Sequence, residues 1–309
     1  MSSCTLQERY DAAVARLVEL AQSDATLIGL YVYGSAHRGD VWQHSDIDVV
    51  FVTSDQKRPW QAFSLVEDGI QVSAEVCSRS HFRKIHERAL RGSTIHAIFS
   101  SGDFIYAEEP TLEDYLDEAA EVGERDLELL RLRNAISLGG HLHGATKALV
   151  VRQDTTTGYL STVHALEDYA RLTLLQRGEA LCRELVSRAC ELDEKYAEIW
   201  NRALESHSDA RALLAIRDVL DGYLRDDAKI LFKPLLDYLQ EERVLRAASE
   251  IQRAIGTRIG MPDVAHGVGM ACEALAEMGL IERATMPVRL TRKGQVEFEE
   301  AAYFYGGET

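Results

Sequence analysis

Cysteine is scarce in this chain and odd in number. The five residues, Cys4, Cys77, Cys182, Cys190 and Cys272, include no CxxC pair. That excludes a disulfide scaffold, argues against a zinc site, and fits a reducing compartment. Proline is scarcer still for the length, five in 309 residues, so little breaks the helical periodicity of the middle of the chain. No apolar run reaches the roughly 18 residues needed to span a bilayer. The acidic, amphipathic N-terminus lacks the basic start and apolar core of a secretory leader. A cytoplasmic protein without a membrane partner is therefore expected. Positive charge is also in deficit: 34 Lys+Arg stand against 50 Asp+Glu, a formal net charge of −16. Broad attraction to nucleic acid or to anionic lipid is thereby disfavoured, and a neutral or cationic partner fits better. What remains is a globular composition, 46% hydrophobic and 27% charged, with length for two or three domains.

Residues 7–22 carry apolar side chains at helical spacing until Asp24 breaks the pattern. Three short β-rich runs follow, LIGLYVY (27–33), DIDVVFVT (46–53) and IQVSAEVC (70–77). A helix is expected over 80–91 and a turn with a short strand over 101–109, giving an α/β unit over residues 1–111. Residues 112–240 are almost free of proline, rich in Leu, Ala, Glu and Arg, and helically periodic. They read as a bundle of about five helices, with DTTTG (154–158) as a connecting loop. Residues 241–309 read as a third unit. A helix runs to Ile255 and ends at Gly256, Met261-Pro262-Asp263 opens a second, and Val268–Met278 forms a third. Gly279-Leu280-Ile281 starts a strand, Pro287 turns the chain, VRLT (288–291) returns, and Thr291 caps a last helix. The pattern resembles a winged helix-turn-helix. Its would-be recognition helix, 268–278, has no Arg, Lys, Asn or Gln to read base edges, so DNA is not the expected partner. A basic cluster, Arg283, Arg289, Arg292 and Lys293, leaves an RNA partner open.

The chemistry lies in Tyr33-Gly34-Ser35 followed, ten residues on, by Asp46-Ile47-Asp48. Residues i and i+2 of a strand face the same way, so Asp46 and Asp48 present two carboxylates together. Such a pair on a core strand is repulsive and costly to desolvate. A divalent cation removes both costs, and hard carboxylate oxygens suit Mg²⁺ with phosphate oxygens completing its shell. Glu75, on the next predicted strand, makes a third carboxylate. Gly34 lets the backbone approach a phosphate closely, the Ser35 hydroxyl and following N–H groups can donate to it, and Arg38 adds a cation. His37 and His44 flank this turn and read as loop residues, since no Cys or His partner has metal-site spacing.

YGS…SDIDVVFV followed by a strand glutamate resembles the nucleotidyltransferase superfamily of DNA polymerase β. Within it, the Gly-Ser to Asp spacing, Arg38 and Ser45-Asp46-Ile47 are most similar to the aminoglycoside adenylyltransferases of the kanamycin nucleotidyltransferase type. The resemblance covers residues 31–77 well, 78–110 loosely and the rest weakly. It implies an α+β fold: a mixed-sheet catalytic domain, then a helical bundle and a winged helix. It also implies a transferase that uses ATP and two Mg²⁺ ions held by Asp46, Asp48 and Glu75. Gly34, Ser35, Arg38 and Ser45 then bind the triphosphate, the acceptor is a small molecule such as an aminoglycoside-like compound in the cleft between the first two domains, and the assembly is a homodimer. The family also carries a Glu four residues before a Lys on an early helix of the second domain, as base and phosphate contact. HLHGATK (141–147) puts Lys147 in the Lys place and His143 in the Glu place. Residues i and i+4 share a helix face, and imidazole can serve as a general base near neutral pH. Glu167 or Asp168 is the alternative base. Transfer to tRNA or protein, or a nucleotide-binding regulator using the winged helix, are the rival functions.

Overall fold

The computed structural model describes residues 5–54, 60–88, 101–120, 123–179, 181–182, 184–259, 265–291 and 293–306. The chain separates into two compact units, Met1–Gly123 and Glu124–Thr309.

The first unit opens with helix α1, Leu6–Ser23, whose Thr5 and Glu8 form a reciprocal capping box. Then come β1 (Leu27–Tyr33), a short helix α2 (Gly34–Arg38), β2 (Ile47–Thr53), β3 (Gln61–Glu67), β4 (Ile70–Ser78), α3 (Arg79–Arg88), β5 (Asp103–Ala107) and α4 (Thr111–Ala120). The five strands form one sheet in the order β3-β4-β2-β1-β5. It is mixed: β2 and β4 run parallel, and the other pairs are antiparallel. The β-branched runs of β1 and β2 occupy the centre, where both faces are covered. Val49 and Phe51 join Tyr10, Ala13 and Leu17 of α1 on one face. Val50 and Val52 join Phe82 of α3 and Leu112 of α4 on the other.

Strand β3 was not expected. Six of its seven residues are exposed and it forms a sheet edge, so it lacks the apolar pattern by which buried strands are read. The expected helix over 80–91 appears as α3, and its last three residues lie outside the described ones.

The second unit is built around helix α5, Glu124–Thr146, which continues into a π-helical turn, Lys147–Arg152. Then follow α6 (Thr155–Gln176), α7 (Leu185–Leu192), α8 (Glu194–Glu205), α9 (Ala210–Asp226), α10 (Ala228–Leu231) and α11 (Lys233–Glu242). DTTTG is not a loop. Asp154 caps the helix through the Thr157 N–H, and Thr155 is the first residue of α6.

The chain ends with β6 (Arg246–Ala247), α12 (Ala248–Arg258), α13 (Ala265–Glu277), β7 (Glu282–Val288) and β8 (Phe298–Phe304), the strands ordered β6-β8-β7 and antiparallel. Helix α13 packs on α5. Several expectations need correction here. Helix α12 runs through Gly256 to Arg258, and α13 starts at Ala265, before the expected Val268. The start at Met261-Pro262-Asp263 falls outside the described residues. The Gly279-Leu280-Ile281 strand starts at Glu282. Pro287 sits within β7, tolerated because that strand is an edge. VRLT is not the returning strand. Among the described residues no helix follows Thr291 either, and the last element is β8, where ladder pairing with β7 overrides the helix-like composition of FEEAAYF. Among the described residues, no helix is long and apolar enough to cross a membrane.

Candidate active site

Strand register assembles the site. Tyr33 at the end of β1 pairs with Asp48, while on the parallel side Asp48 pairs with Ser73 and Val50 with Glu75. Paired residues share a face, so Asp46, Asp48, Ser73 and Glu75 lie on one side of the β2–β4 ladder. Asp46 immediately precedes β2, and its carboxylate accepts a 2.5 Å hydrogen bond from the Ser73 hydroxyl. Glu75 is partly buried, and its carboxyl is pushed above the ordinary range by burial and by the charge of Asp48. The Tyr33 phenol is raised by burial and then by Glu75, Asp48 and Asp46, so all three carboxylates bear on one point.

Gly34 begins α2 with φ of 77°, in the left-handed region. A Cβ there would collide with the Asp48 carboxylate. Only glycine lets the turn lie against that side chain. The first N–H groups of α2, from Ser35 onward, have no partner within the helix. Arg38 closes the helix and pairs with Asp40 at 3.2 Å. The Ser45 hydroxyl is spent inside its own loop, accepting from the Trp42 N–H at 3.1 Å. The Tyr10 hydroxyl donates to the Ser45 carbonyl at 2.6 Å and anchors that loop beside the Asp pair.

As these side chains stand, no group of three or more His, Cys, Asp or Glu among the described residues is placed to hold a metal ion. Mg²⁺ does not require three such ligands. It is held by one or two carboxylates, with phosphate oxygens and water filling the shell. Two facing aspartates, a third carboxyl that burial and Asp48 hold against ionisation, and a backbone turn packed on one of the pair fit that donor set.

Residues 15–111 match the family profile of polymerase β-type nucleotidyltransferases (Polymerase beta, Nucleotidyltransferase). This segment is a nucleotidyltransferase domain. With it the chain is a transferase. No curated relative matches the chain. Among solved structures, a nucleotidyltransferase-like protein from Exiguobacterium sibiricum 255-15 aligns with a TM-score of 0.65 at 17% identity, covering 97% of this chain and 100% of that one. At that identity the likeness is one of fold.

The nucleotidyltransferase domain thus contains Gly34, Ser35, Arg38, Ser45, Asp46, Asp48 and Glu75. The other two expected site residues belong to the second unit. His143 is exposed on α5 and lines a cavity with residues of α9 and α13. Lys147 is exposed at the first position of the π turn. The alternative bases differ from each other. Asp168 is buried, 3% exposed, and shares its two oxygens between Arg171 at 2.8 Å and His141 Nδ1 at 2.9 Å. Glu167 is half-exposed beside His164 at 3.6 Å.

Sequence reasoning missed three residues of these sites. Ser73 braces Asp46, and its place two residues before Glu75 was its only signal. Tyr10 belongs to α1, and nothing nearby in sequence ties it to the Asp pair. His141, held by buried Asp168, was passed over for His143 because only the family spacing was followed.

Proposed function

We propose that this protein transfers a nucleoside monophosphate, AMP from ATP in the first instance, to a hydroxyl of a small-molecule acceptor, releasing pyrophosphate. The observation that carries this reading is the convergence of Asp46, Asp48 and Glu75 on one face of the β2–β4 ladder, against the Gly34 turn. In the proposed reaction the acceptor oxygen forms a bond to the α-phosphorus. The bond from that phosphorus to the bridging oxygen breaks, and the hydroxyl proton passes to a base. Asp46 and Asp48 hold the metal, with Ser73 orienting Asp46. Glu75 would complete the donor set beside Asp46 and Asp48. Bound Mg²⁺ supplies polarisation of the α-phosphate and charge neutralisation of the departing pyrophosphate. Gly34 and Ser35 present backbone N–H groups to the triphosphate, and Arg38 adds a cation after exchanging its contact with Asp40.

His143 is the proposed proton acceptor, with Lys147 as phosphate contact. A second base is favoured by a specific observation: Asp168 fixes His141 at Nδ1, leaving Nε2 to take a proton. The base is the imidazole whose replacement by Ala removes the acidic limb of the pH–rate profile. Helices α12 and α13 with their three strands are proposed as a winged helix in a structural role, because α13 packs on α5 and carries no base-reading side chain.

The test incubates the protein with labelled ATP, Mg²⁺ and separate pools of aminoglycosides, tRNA and protein. Label should move to the small-molecule pool, and Asp48→Ala should slow transfer by about a thousandfold. Transfer that survives Asp48→Ala would sink the metal assignment, and label on tRNA or protein would sink the acceptor class.

A further inference from the structure

Within the second unit, α5, α9 and α13 line a half-open cavity of about 440 Å³. That volume falls in the range of roughly 300–1,000 Å³ typical of small-molecule sites. None of its lining residues belongs to the nucleotidyltransferase domain. Its walls are mostly apolar, with Ile136, Leu142, Leu224, Phe232, Met270 and Met278 among them.

Two observations mark it as more than a packing gap. Gly139 and Gly140 sit inside α5, where glycine weakens a helix relative to alanine. Packing does not require either one. A Cβ at Gly139 would meet only Leu224, at 4.0 Å, and one at Gly140 would meet nothing within 4 Å. Their missing side chains keep the cavity open. The second observation is electrostatic. The wall acids are engaged: Asp221 with Arg225 at 2.8 Å, Glu273 with Arg283 at 3.0 Å and with the Tyr303 hydroxyl at 2.8 Å. Exposed Glu277 lies in the field of Arg225. Arg217 pairs one terminal nitrogen with Asp218 at 3.0 Å, but its Nε is buried without a hydrogen-bond partner. Among the described lining residues it is the only such orphaned atom. Its side chain is about a quarter exposed, and a guanidinium with five N–H donors, only one terminal nitrogen of which meets Asp218, can still receive an anionic head.

We propose that this cavity binds a small amphipathic anion, its apolar body against the aliphatic and aromatic wall and its anionic head on Arg217. His143, the proposed base, also lines this cavity, so dye binding is read without ATP or Mg²⁺ and can fail separately from the transfer reaction. The probe is 8-anilino-1-naphthalenesulfonate, a two-ring apolar body with one sulfonate, titrated into the full chain and followed by fluorescence. N-phenyl-1-naphthylamine, which lacks the sulfonate, is titrated in parallel. One saturable site per chain is expected for the sulfonate dye. Gly140→Leu, which fills the cavity, should weaken both dyes by at least about tenfold. Arg217→Met, which keeps the apolar stem, should weaken only the sulfonate dye. Far-UV circular dichroism controls for folding, and if Gly140→Leu misfolds, Gly140→Ala takes its place and should still weaken both dyes. Absence of saturable binding, or binding unchanged by the cavity-filling variant, would overturn the site. Equal affinity of the wild type for the two dyes would overturn the anionic head.

Discussion

At the scale of single residues, the carboxylate pair was legible because its chemistry is costly without a cation. Asp46 just before β2 and Asp48 within it stand out beside a strand otherwise made of Ile, Val, Phe and Thr. Ser73 and Tyr10 were not legible, because their roles depend on strand register and on α1 crossing the sheet, which no local spacing encodes. Two predictions belong here. Gly34→Ala adds a side chain at φ of 77° and collides with Asp48. The left-handed backbone alone costs about 1–2 kcal/mol. Mg²⁺-dependent transfer should fall far more than that loss of stability explains, as calorimetric titration of Mg²⁺·ATP beside chemical denaturation would reveal. Glu75 titrates above its ordinary value of 4.5 because burial and Asp48 disfavour its charge. Its folded pKa is raised, so its stabilising contribution is complete below the unfolded value and is lost as pH rises through the folded one. In chelator, Glu75→Gln should therefore melt at a higher temperature than wild type at neutral pH, with the gap closing in acid. Wild type should regain stability when Mg²⁺ is added, and the variant should gain much less.

At the scale of elements, burial decided what could be read. Strand β1 and, from Val49 on, strand β2 are near-continuous apolar runs because both faces are covered, and their limits follow from composition. The exposed edge β3 carries no such signature. Strand β8 contains a helix-like EEAA and becomes a strand only because β7 and β6 flank it. The Asp154 cap was hidden because DTTTG serves equally as a turn or as the first turn of a helix. Its carboxyl is held below its ordinary value by the hydrogen bonds from Thr157. A depressed pKa contributes stability above the unfolded value and loses it as pH falls through the folded one. Asp154→Ala should lower the melting temperature at neutral pH, and the difference should vanish in strong acid. Gly158, in the first turn of α6, lies so close to Leu149 of the π turn that a Cβ would overlap it. Gly158→Ala should destabilise by about 1–3 kcal/mol in urea unfolding, and Leu149→Ala should offset part of that loss.

At the scale of the whole molecule, charge and packing point the same way. The net charge of −16 repels phosphate backbones. The helix a winged motif would offer to DNA packs on α5. Fluorescence anisotropy at physiological salt should find no saturable binding of a DNA duplex, and saturable binding would restore the DNA-reading role set aside above. Composition already disfavours this partner, whereas the cavity beneath α13 is built from helices distant in sequence and could not be foreseen.

The close approach of Gly34 to Asp48 also constrains how the gene can vary. A larger residue at 34 could be accommodated by shortening the side chain at 48, but that exchange removes the carboxylate it was meant to spare. The two codons are therefore locked in a way that pairwise compensation cannot release. A selection for restored activity from Gly34→Ala should return true revertants, and none at position 48.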